Sequence, residues 1–172
     1  GEGRRHFYGH EQKSAVIART ILERLRYDRA TISRVEHLID RHMDLHDLPA
    51  DASDAAVRRA AARVGREHIS DLLHLREADR RAAGKLGAVS AGTLALLARL
   101  RDLDRLDAAL SLRDLRIDGN RVMEVTGLEP GPAVGKVLSL LLDAVLDNPE
   151  LNQPAQLELL AQAVAHRLAQ GR

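Results

Sequence analysis

Apolar residues recur at helical spacing along most of the chain, and the pattern predicts one helix after another. From about Glu11 to Tyr27, the residues Ala15, Ala18, Ile21, Leu22 and Leu25 form a stripe, with Lys13, Arg19, Glu23, Arg24 and Arg26 off it. Asp28 offers a break and a cap. A second helix, about Ala30 to Met43, carries Ile32, Val35, Leu38 and Ile39 on one side. The run DLHDLPADAS reads as a loop closed by Ser53 as an N-cap. A short helix follows over Asp54 to Val64 and stops at Gly65. The next, Glu67 to Ala83, turns Ile69, Leu72, Leu73 and Leu75 inward, and Gly84 and Gly87 mark its end.

KLGAVS is the best internal boundary, which divides the chain into residues 1–88 and 89–172. Beyond it a Leu-rich helix runs from about Ala91 to Ala109, through Leu96, Leu100, Leu103, Leu106 and Leu110. An irregular segment then holds a short helix near Asn120 to Val125, between Gly119 and Gly127. Pro132 suits the first turn of a helix with Val134, Val137, Leu138, Leu141, Leu142 and Val145 as its stripe. Pro154 starts the last, through Leu157, Leu160, Val164 and Leu168. Nothing alternates with the period of a strand for long, so the fold class is all-α.

Composition narrows this picture. Hydrophobic residues make up 45% of 172 residues, enough for a core, and the aromatics are only Phe7, Tyr8 and Tyr27. The core must therefore be Leu, Val, Ile and Ala, and base-stacking platforms are disfavoured. With no cysteine there are no disulfides and no thiolate zinc sites. No signal-peptide pattern and no apolar run of spanning length occur, so a cytoplasmic protein without a membrane partner is expected. The formal net charge is +1, so nucleic-acid binding would have to come from local basic patches.

Few residues suggest chemistry directly. GPAVGK is not a phosphate loop: Pro130 stands where the first Gly is required, Val137 follows Lys136, and no strand precedes it. His37 and His42 lie about 140° apart on a helix and cannot chelate one metal together. His42 falls at the edge of an apolar stripe, where a histidine meeting the helix dipole is the plain reading. Asp79 follows Leu72 and Leu75 at helical spacing, on the face expected to be apolar. There it requires an arginine or a metal. His10, at the head of the first helix, could share that space.

The order of His10, His42 and Asp79 carries a resemblance. HFYGHEQKSAVIARTILERLRY resembles the segment after the His-Asp signature in the HD domain of bacterial tRNA nucleotidyltransferases, the CCA-adding and A-adding enzymes and their poly(A) polymerase relatives. VEHLIDRHM and DLLHLREADRRAAG are similar to the helices that follow it. The stretch LSLRDLRIDGNRVMEVTGLEPGPAVGKVLSLLLDAVLDNPELN is similar to the family's C-terminal region.

The resemblance implies an HD-like helical bundle remnant followed by a C-terminal helical body that helps to bind tRNA. Nucleotide addition to the tRNA 3′ end would belong to an N-terminal catalytic head, expected upstream of Gly1. No Gly-Gly signature and no Asp-x-Asp pair on a strand pattern occurs here, and the His-Asp doublet is absent too. His10, His42 and Asp79 would be a partial metal site. No cofactor is expected in such a fragment, whereas the intact parent would use a divalent metal of the Mg or Mn type. The chain alone would then be inactive, and its expected partners are tRNA and the head. Arg76, Arg80, Lys85, Arg113, Arg116 and Lys136 are the candidates for contacts to tRNA phosphates. Two alternatives stand beside this: a metal-dependent HD phosphohydrolase, and a helical interaction module without RNA.

Overall fold

Helices begin and end where the chain supplies caps and stops. The computed structural model describes residues 10–46, 48–49, 51–82, 84, 91–105 and 109–170, without the side chains of residues 10, 11, 45, 46, 80, 91–93, 104 and 105. Among these residues there are eight α-helices and no strand. They are α1 His10–Arg24, α2 Arg29–His46, α3 Asp54–Val64, α4 Ile69–Ala82, α5 Ala91–Arg105, α6 Gly119–Thr126, α7 Pro132–Asp147 and α8 Pro154–Ala169. The all-α expectation holds.

Local signals explain most of the boundaries. The Asp28 carboxylate accepts from the Thr31 N–H at 2.9 Å and caps α2. Ser53 Oγ accepts from the Ala56 N–H at 3.2 Å and caps α3. Gly127, at φ 70°, ends α6 in the left-handed conformation, its N–H donating to Met123 at 2.8 Å. Arg26 holds the corresponding left-handed position after α1, at φ 59°. There the Tyr27 N–H reaches back to the Leu22 carbonyl and that of Arg26 to Glu23, both at 3.0 Å. Pro132 and Pro154 open α7 and α8, where a missing N–H costs nothing.

Two groups of buried side chains form the interior. Val57, Ala60, Ala61 and Val64 of α3 meet Leu72 and Leu73 of α4 and Leu96 and Leu100 of α5. Val122 of α6, Val134, Val137, Leu141 and Val145 of α7, and Leu157, Ala161 and Ala165 of α8 form the second. α7 links them, because Leu146 belongs to the first cluster while Leu142 packs against both. The division expected between residues 88 and 89 falls between α4 and α5, which share the first cluster.

The helical hairpin of α1 and α2 departs from its predicted stripe. Ala15, Ala18 and Leu22 are partly covered, but Ile21 is 43% and Leu25 58% exposed. The periodicity locates an apolar face correctly, but it cannot state that a second layer covers that face. α2 also packs on α3 and α4, whereas the extensive packing of α1 is against α2.

Candidate nucleic-acid interface

Basic and acidic residues nearly balance, so what matters is which cations the fold leaves uncommitted. Most of the arginines between helices are committed. Arg19 forks onto Glu36 at 2.5 and 2.6 Å, joining α1 to α2. Arg34 reaches Asp71 on α4, and Arg99 on α5 reaches Asp54 on α3. Arg59 meets Asp147 at 2.7 Å. Arg58 donates to the Leu146 and Asp147 carbonyls at 2.7 and 2.9 Å, closing the C-terminus of α7. Arg121 pairs with Glu158 at 2.8 Å and Glu124 at 2.7 Å, which raises its pKa through hydrogen bonds first to Glu158 and then to Glu124.

Arg113, Arg116 and Lys136 are different. All three are exposed, and none makes an ion pair or a side-chain hydrogen bond among the described residues. Arg113 and Arg116 lie on the segment between α5 and α6. Leu115 and Ile117 point into the second cluster, so Arg116 between them is turned outward. The backbone here is held firmly. Arg116 donates its N–H to Asn152 Oδ1 at 3.0 Å, and Asn152 Nδ2 donates to the Asp114 carbonyl at 3.0 Å. Lys136 stands on α7 between the buried Val134 and Val137. The side chain of Arg116 borders a shallow depression shared with Asp118, Arg121, Pro154 and Glu158.

Asp114 anchors the same segment. Its Oδ2 accepts from the N–H of Leu110 at 3.0 Å, the N–H of Ser111 at 2.8 Å and the Ser111 hydroxyl at 2.9 Å. Burial pushes its pKa up, but these bonds and the nearby charge of Arg66 outweigh burial, so the carboxyl lies below its ordinary value. A lowered folded pKa stabilises above the unfolded value near 3.9, and the stabilisation is lost as pH falls through the folded value. Asp114→Ala should therefore cost about 1 kcal/mol at pH 7. In thermal melts, the gap from wild type should close as pH falls below the usual Asp range. A gap independent of pH would remove the charge from this account.

The other candidate contacts fare differently. Arg76 on α4 is half-buried, desolvation lowers its pKa, and it is already engaged within the fold. The side chain of Arg80 and all of Lys85 lie outside the described residues.

The partial metal site was expected to unite His10, His42 and Asp79. The side chain of His10 lies outside the described residues. His42 is half-buried and turns Nδ1 to the Ile39 carbonyl at 2.5 Å, where the ring must donate. Asp79 is exposed near the end of α4, which corrects its inward placement: the apolar stripe of α4 does not extend to the last turn. Among the described residues no three His, Asp or Glu side chains are grouped to hold a metal. His42 and Asp79 belong to no such group among the described residues.

Sequence reasoning missed Asp114, Asn152 and Arg121. Ser111 three residues before Asp114 was a capping signal that could have been read. Glu158 as the partner of Arg121 had no local signal, being 37 residues away.

Comparison with known proteins gives two relatives. The chain is 40% identical over 143 residues to the A-adding tRNA nucleotidyltransferase of Deinococcus radiodurans, covering 83% of this chain and 32% of that protein. It is 37% identical over 142 residues to the CC-adding tRNA nucleotidyltransferase of Thermus thermophilus, covering 83% of this chain and 30% of that protein. The chain thus spans about a third of the length of the curated relatives it matches, and the resemblance carried by its motifs agrees with them. No protein-family model and no solved structure matches it. No helix among the described residues is long and apolar enough to cross a membrane.

Proposed function

We propose that this chain, whose sequence belongs with part of the tRNA nucleotidyltransferases over 83% of its length, is the C-terminal portion of such a protein and helps to hold tRNA. A separate N-terminal head then performs 3′-end nucleotide addition. The observation that carries this reading is the similarity to an A-adding and a CC-adding enzyme over the same share of the chain. The three uncommitted cations support it. On this reading Arg113, Arg116 and Lys136 would meet phosphates, the part of RNA that a helical surface without aromatics can bind. Such contacts position a tRNA and leave the choice of added nucleotide to the head.

The test is direct binding of tRNA to the 172-residue chain across a salt series, by fluorescence anisotropy. Three phosphate contacts should give a slope of log affinity against log salt of about −2 to −3. Binding should be weaker for a duplex of unrelated shape. Salt-insensitive binding, or none at low salt, would count against the proposal.

A further inference from the structure

Eight large apolar side chains are exposed among the described residues, and five of them, Val16, Ile17, Ile21, Leu25 and Tyr27, lie on α1 and its exit. Ile17, Ile21 and Leu25 recur every fourth residue and so form one row, while Val16 lies about 100° round the helix from Ile17. Val16 is 62% and Ile17 59% exposed. Lys13 and Arg24 fall on the same face, four residues before Ile17 and seven after it. Both are exposed, and neither has an ion pair or a side-chain hydrogen bond among the described residues. No described side chain of α1 reaches either buried cluster. This helix therefore presents an apolar row with two free cations away from α2.

Charge and chain length choose the occupant. Two copies related by a twofold axis would bring the row's flanking cations, Lys13 and Arg24, against their counterparts, and like charges destabilise such a pairing, while the carboxylate of Glu23 lies beyond the edge of the row. RNA would satisfy Lys13 and Arg24 but leave the aliphatic row against phosphates. The relatives carry about two thirds of their length outside the matched segment. We infer that the outer face of α1 seats polypeptide which in those relatives lies outside the matched third, through apolar side chains flanked by carboxylates that meet Lys13 and Arg24. The inference rests on the reading of this chain as a portion of a tRNA nucleotidyltransferase-like protein. It adds the surface that joins the two parts.

The absence of cysteine makes the test clean, because Ile17→Cys introduces a single thiol. In the isolated chain that thiol should react with a maleimide as fast as one introduced by Leu159→Cys on the exposed face of α8. A chimera would then place the whole chain where the matched third of the Deinococcus radiodurans enzyme stands, with that enzyme's own cysteines changed to serine. There the Ile17→Cys thiol should react at least about tenfold more slowly, since only local opening would expose it, while the Leu159→Cys thiol keeps its rate. Equal rates at position 17 in both settings, or equal protection of both thiols, would overturn the inference. So would a dimer of the isolated chain, seen by sedimentation, that Ile17→Glu dissociates.

A second measurement needs no chimera. Ile17→Glu with Ile21→Glu should leave the melting temperature of the isolated chain within about 2 °C, because surface changes rarely matter more. A larger fall would make the row part of the chain's own core and end the proposal. Thiol protection is read without tRNA, so the two readings fail separately. An active chimera with an exposed thiol sinks only this inference. A protected thiol in a chimera that neither binds nor extends tRNA sinks only the functional reading.

Discussion

Leu141→Ala should destabilise the protein by about 3 kcal/mol, the usual cost of emptying a leucine site in a closed core. Leu141 is 1% exposed and sits in the cluster with Val122, Val137, Val145 and Leu157. Its helix cannot readily shift to fill the space. Near its end Leu146 is buried in the first cluster, and Arg58 and Arg59 hold its last residues. At this chain length the loss corresponds to a fall of about 6–12 °C in melting temperature. Leu159→Ala on α8 makes the control: that side chain is 69% exposed, and its removal should change stability by less than about 0.5 kcal/mol. Denaturant unfolding of the two variants against wild type reads both. A cost below about 1 kcal/mol for Leu141→Ala would mean that α7 does not close the second core as described.

The second large effect is expected on RNA. Replacing Arg113, Arg116 and Lys136 together by glutamine should lower tRNA affinity by about a hundredfold at low salt and flatten the salt slope by about 2 to 3. Stability should hardly move, since none of the three is committed to another side chain. Arg121→Gln is the informative contrast. It removes the clasp between α6 and α8 through Glu158, so it should affect folding before it affects RNA. Unchanged tRNA affinity and slope in the triple variant would place the interface elsewhere. An effect equalled by Arg121→Gln would show that loss of folding, not of phosphate contacts, was being measured.

Particular residues show how far the sequence could be read. Ser53, Asp28, Gly127, Pro132 and Pro154 do what their types suggest, because caps and stops act within a turn of the residue concerned. The stripe of α7 was equally legible: Val134, Val137, Leu141 and Val145 are buried as predicted. Ile21, Leu25 and Asp79 were not. Their spacing identifies a face of a helix, yet whether that face is covered depends on elements far away in the chain. The candidate interface was legible only as a set of cations, three of which the fold leaves free.

The division follows from the range of the forces involved. Helix period, capping and proline placement are local, so the amino-acid order alone determined an all-α chain and nearly every helix in it. The same order, read as motifs, resembles the tRNA nucleotidyltransferases. Only the tertiary structure decided which arginines became clamps between helices and which stayed available, since Arg58 finds its acceptor 88 residues away and Arg121 its carboxylate 37 away. It also decided that α7 would reach two cores and that α1 would keep an apolar row uncovered. Such outcomes depend on which surfaces meet, and periodicity along a chain carries no record of that.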